Sequence, residues 1–176
     1  MTTTTNPDGE LRTILTPLMF KAVAVVFTEL VDGASSAGGW VLNRRDDGLL
    51  KSLDKLSSRE ASAVAPGGEA SIAAHVDHLC YGLSLLNRWS QGEKNPFADA
   101  DYRASWRRIV VSNAEWKSLR DRLRQEASRW QDTLTRPRAV DEIEMNGIVA
   151  SAAHLAYHLG AIRQINRSTR GPSAND

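Results

Sequence analysis

Histidine is scarce in this 176-residue chain: there are four, His75, His78, His154 and His158, in two tight pairs. Neutral imidazole is the commonest protein metal ligand and suits Zn, Ni, Cu or Fe. Residues four apart share a helical face, so His154 and His158 could chelate one ion from a single helix. A further histidine from the 75/78 pair would complete a three-nitrogen set. Such a set leaves a coordination position for water or substrate, the layout of a catalytic site, and metal-bound water ionises near neutral pH. A lone histidine on an apolar face is more often an ordinary core residue. Here, however, the entire histidine content falls on two matching lines: Ser71, His75, His78, Gly82, Leu85 and Trp89, and Gly147, Ser151, His154, His158 and Ala161. The small residues on these lines predict space between the two helices.

Four amphipathic segments must position these lines. Residues 11–31 carry Leu11, Ile14, Leu15, Leu18, Met19, Ala22, Val25, Val26 and Leu30 at helical spacing, with Thr16-Pro17 as an N-cap or a kink. Residues 71–90 carry Ile72, Val76, Leu79, Leu83 and Leu86. Residues 112–134 open on a capping box, Ser112 to Glu115, and carry Trp116, Leu119, Leu123, Ala127, Trp130 and Leu134. Residues 141–166 carry Ile148, Ala152, Leu155, Leu159 and Ile162. Leu49, Leu50, Leu53 and Leu56 suggest a short extra helix. The stretches 34–48 and 57–70 read as loops, the first anchored by Trp40. No strand-like alternation competes, so the expectation is an all-α four-helix bundle over 10–167, with disordered tails at 1–9 and 168–176.

With 22 Lys+Arg against 21 Asp+Glu, the formal net charge of +1 offers no electrostatic footprint for nucleic acid. Residues 103–138 are locally basic, but acids and the Trp116/Trp130 stripe interleave, as on a solvated helix face. The most apolar run, 18–31, is interrupted by Lys21 and Glu29 and is too short to span a bilayer. The first ten residues lack the basic-then-apolar pattern of a signal peptide, and the single Cys80 excludes an intrachain disulfide. A cytoplasmic protein with no nucleic-acid or membrane partner is expected. Cys80 lies about 200° around the helix from His78 and reads as core. Tyr81, Gly82, Asn146, Ser151 and Tyr157 are candidate cavity-lining residues, with Arg88 a further candidate.

The segments SIAAHVDHLCYGLSLLNRW (71–89) and AAHLAYHLGAIRQI (152–165) resemble the DinB/YfiT-like superfamily. The resemblance implies a four-helix bundle, often a homodimer, with one divalent ion, zinc or nickel, held by three histidines. Carried over by position, these are His78, His154 and His158. Members often show HxGQ from the last ligand; here the run is His158-Leu159-Gly160-Ala161, and the glutamine is displaced three positions to Gln164. His75 is additional, an auxiliary residue that could be a fourth ligand, a proton shuttle or a surface residue. The resemblance further implies thiol S-transfer with a low-molecular-weight thiol, or metal-dependent hydrolysis of a small-molecule substrate. The alternative is a non-catalytic metal- or ligand-binding or structural dimeric module.

Overall fold

The computed structural model describes residues 7–65 and 67–169, the side chains of 7–15 excepted. Of the tails expected at 1–9 and 168–176, residues 1–6 and 170–176 lie outside the described residues, whereas 7–9 are helical and 168–169 belong to a 3-10 turn. Four long helices make the body: α1 (Pro7–Asp32), α4 (Ile72–Ser90), α6 (Asn113–Leu134) and α7 (Glu142–Ile165). Three short ones sit in the connections: α2 (Leu49–Asp54), α3 (Ser58–Ala61) and α5 (Tyr102–Ser105). A 3-10 turn, Arg167–Thr169, follows α7. The fold is all-α. α4 packs against α6 and α7, and α1 against the same two, so the ring runs α1–α6–α4–α7. Helices consecutive along the chain are therefore not all neighbours, as the long connections allowed.

The expected stripes of α4, α6 and α7 form the core. Ile72, Val76, Leu79 and Leu83 are buried, with all six residues of the α6 stripe and all five of the α7 stripe. α1 differs. It runs continuously through Pro17, and its buried face is Phe20, Val23, Phe27, Leu30 and Val31. Leu18, Met19, Ala22 and Val25, expected inward, are exposed. The segment is apolar almost all round, so its periodicity does not select a face.

The 33–48 connection is held differently from the expected tryptophan anchor. Trp40 is 82% exposed. Instead the backbone N–H groups of Trp40, Val41 and Leu42 donate to the buried Glu29 carboxylate at 2.7, 2.8 and 2.6 Å. Burial alone would raise the Glu29 pKa, but these Leu42, Trp40 and Val41 donors hold it below the usual value. Gly39 permits the approach, since a Cβ there would lie 2.3 Å from Glu29 Oε1. From α7, Arg163 donates to the buried Asp46 carboxylate and to the Asp47 carbonyl, fixing the loop's far end.

Local chemistry starts each site-bearing helix. Ser71 caps α4 by accepting from Ala74 N–H, and its hydroxyl donates to the Ile109 carbonyl. Asp141 caps α7 by accepting from Glu144 N–H, and the acidic Glu142 and Glu144 suit the positive end of the helix dipole. Ser57 and Glu60 form a capping box for α3, inside the segment expected to be loop.

Candidate metal centre

α4 and α7 are ring neighbours, and their histidine lines face one another. His154 Nε2 lies 2.9 Å from His158 Nε2 and 3.2 Å from His78 Nε2. One ligand-type atom from each of His78, His154 and His158 falls within 4.8 Å of the others. A tetrahedral ion about 2.05 Å from each nitrogen would set those nitrogens roughly 3.3 Å apart. The separations are therefore close to those of a three-imidazole metal set, and the residues fit the group.

Tautomers follow from the outward nitrogens. Ser105 Oγ donates its single proton to the Tyr102 carbonyl at 2.7 Å, so at 2.9 Å it accepts from His78 Nδ1–H. The His78 Nε2 lone pair is thereby directed at the other two histidines. His75 Nδ1 lies 2.8 Å from His158 Nδ1. With His158 Nδ1–H donating to His75, the His158 Nε2 lone pair also points inward. His154 Nε2 stands within reach of both lone pairs, and with its own proton on Nδ1 it would turn a third lone pair toward a shared cation. His75 thus buttresses a member of the trio from outside it.

Electrostatics keep these rings neutral at pH 7. Burial lowers the His158 pKa to about 3, with smaller contributions from His154, His75 and His78. Burial lowers His78 to about 4, aided by His154 and His75. Burial also lowers His75 and His154. Neutral imidazole is the ligating form.

Two residues beside the trio carry no signal in the sequence pattern: Ser105 and Trp106, at the end of the four-residue helix α5. The Trp106 ring stacks on His78 at 4.4 Å between centroids and meets His75 edge-on at 5.2 Å. α5 is itself fixed by Asp101, whose carboxylate accepts from Ala104 N–H and whose own N–H donates to the Tyr81 hydroxyl. Tyr81 therefore supports α5 rather than facing the trio.

His78 and His154 open onto a cavity of about 720 Å³ between α4 and α7. Gly82 and Ser151, both expected there, are among its walls. Asn146 and Tyr157 are not; both are exposed on α7, Tyr157 at 70%, with its ring edge-on to His158. Arg88 is also outside, paired with Glu93 on the surface. Cys80 is buried on another face of α4, where burial raises its thiol pKa to about 12, so it is neither ligand nor nucleophile at neutral pH. Asp77 is ion-paired with Arg108 and Arg122.

The family model described as the DinB superfamily matches residues 42–162, a span that includes all four histidines, α4 to α6 and most of α7. The chain belongs to the DinB superfamily. No curated protein and no solved structure matches it. Membership and the histidine trio together permit metal binding at the α4–α7 face. No described helix is long and apolar enough to cross a membrane.

Proposed function

We propose that this DinB-superfamily chain holds one divalent ion, zinc or nickel, on His78, His154 and His158, and acts as a metal-dependent enzyme of thiol S-transferase or hydrolase type. The observation that carries this reading is the convergence of one ring nitrogen from each of three histidines, two of which line a cavity large enough for a small-molecule substrate. When bound, such an ion supplies Lewis acidity that activates a thiol or a water near neutral pH.

The chain's own groups do the positioning. Ser105 fixes the His78 tautomer, and His75 orients His158. Trp106 covers one side of the trio and limits water there. The cavity on the His78/His154 side gives a substrate its approach. A homodimeric cytoplasmic protein built on one domain over 10–167 completes the proposal.

Elemental analysis of the purified full-length chain tests it. About one divalent ion per chain is expected, falling to a small fraction in His154→Ala. A wild-type chain that takes up no zinc or nickel under dialysis overturns the metal reading. A loaded chain with neither thiol-transfer nor esterase activity, against panels of both substrate types, overturns the enzymatic one.

A further inference from the structure

The walls of the cavity beside His78 and His154 are chemically one-sided. Away from the histidines they are formed by leucines of α4 and by an aromatic pair, Trp89 and Phe97, in edge-to-face contact at 5.4 Å. Gly147 allows that aromatic wall: a Cβ there would lie 2.8 Å from Trp89 Cζ3. Gly82 and Ala150 leave the opposing surfaces low. Among the described residues lining the cavity there is no lysine or arginine.

The polar groups in the walls are mostly committed elsewhere. Ser151 Oγ accepts from Trp130 Nε1–H and donates to the Ile148 carbonyl. Asn95 and Asp141 also line the cavity but are exposed, and one oxygen of Asp141 caps α7. Tyr102, at the histidine end, has its pKa raised by burial and stays a neutral hydroxyl. An anionic or heavily hydroxylated group taken in among the leucines, Trp89 and Phe97 would lose its hydration with few partners to replace it. An apolar body would exchange water for aromatic and aliphatic surface, as in most small-molecule pockets of this size.

We infer that the cavity takes the uncharged apolar body, aromatic or alkyl, of a small molecule whose polar reacting end lies at His78 and His154. The statement about the reacting end rests on the proposed function; the statement about the body rests on the walls alone. It places the hydrophobic moiety on the electrophile or the hydrolysable substrate, because leucine, tryptophan and phenylalanine walls offer a hydrophilic thiol little to bond with.

The test uses two dyes that differ by one charge: neutral N-phenyl-1-naphthylamine and its sulfonate relative 1-anilinonaphthalene-8-sulfonate. Both are titrated by fluorescence into the full-length chain, metal-free and after zinc dialysis. Saturable binding of the neutral dye, at least tenfold tighter than the sulfonate, is expected. Ala150→Phe, which fills the cavity from an exposed position of α7, should weaken the neutral dye at least tenfold while keeping the wild-type zinc content. Ala150→Lys should shrink the preference for the neutral dye. No saturable binding, no preference for the neutral dye, or affinities untouched by both variants overturns the inference. Zinc content is read separately, so failure of the metal reading appears as a chain that binds the dye but no ion.

Discussion

His75 Nδ1 and His158 Nδ1 lie 2.8 Å apart, so the histidine outside the convergent trio is bonded to the most buried member of it. The outward nitrogen of a ligating imidazole sets which nitrogen carries the proton and how the ring is aimed.

Removing that acceptor should loosen the centre without abolishing it. His75→Leu keeps the bulk but not the hydrogen bond, and is expected to lower zinc affinity roughly tenfold to a hundredfold. His75→Gln, whose amide oxygen can accept from His158 Nδ1–H, should recover most of the loss. Chelator competition reads both, and equal affinities for the two variants would refute a positioning role.

Ser105 poses the same question for His78. Ser105→Ala leaves the buried His78 Nδ1–H without its acceptor, and an unsatisfied buried donor costs about 1–3 kcal/mol. The expected result is weaker zinc binding with a lower unfolding midpoint in the metal-free chain. Ser105→Thr retains the hydroxyl and should behave as wild type in both titrations.

Acid should destabilise the metal-free fold through the same rings. The histidines begin from an ordinary pKa of 6.5, and His78 and His158 are held at about 4 and about 3 in the fold. Between those values the unfolded chain binds more protons, so stability rises with pH there. The contribution is full above about 6.5, declines as pH falls through 6 and 5, and levels off below the folded values. Urea midpoints at pH 7.5 and pH 5 check this. His158→Phe should show a shallower slope, and an unchanged slope would count against it.

Glu29 should matter far from the histidines. Its carboxylate accepts three backbone donors from the 40–42 segment. Glu29→Gln puts an amide N–H against at least one of them, and charged hydrogen bonds of this kind are worth about 1.5–3 kcal/mol each. A stability loss of about 2–3 kcal/mol is expected by chemical denaturation, with zinc content per folded chain unchanged.

Much of this architecture is legible in the sequence because α4, α6 and α7 each bury a single narrow line. Trp116 to Leu134 can be read off by spacing alone, and the histidines are found by the same phase arithmetic. α1 defeats that arithmetic, since Leu18 and Val25 are as apolar as Phe20 and Phe27 and only packing decides between them. Ser105 and Trp106 escape it because a four-residue helix has no period. The Glu29 anchor escapes it because its partners are backbone N–H groups, which every residue but proline carries. Tyr81, Asn146 and Tyr157 show the reverse limit: proximity to a histidine along a helix does not settle which side of that helix a residue faces.

The ring order α1–α6–α4–α7 separates His78 from His154 by 76 residues of chain, although their rings meet. Closing a loop of that length costs about 4 kcal/mol in chain entropy before any contact across it is rewarded. The α4–α6 pair closes a far shorter span and can form first. The two halves of the histidine centre then come together only as the bundle completes. Interactions made that late act mainly on how fast the native state opens, and little on how fast it forms. Zinc should accordingly lengthen the unfolding half-life in stopped-flow urea jumps while leaving the refolding rate nearly constant; the histidine centre is then a latch on the finished bundle, not a seed for it.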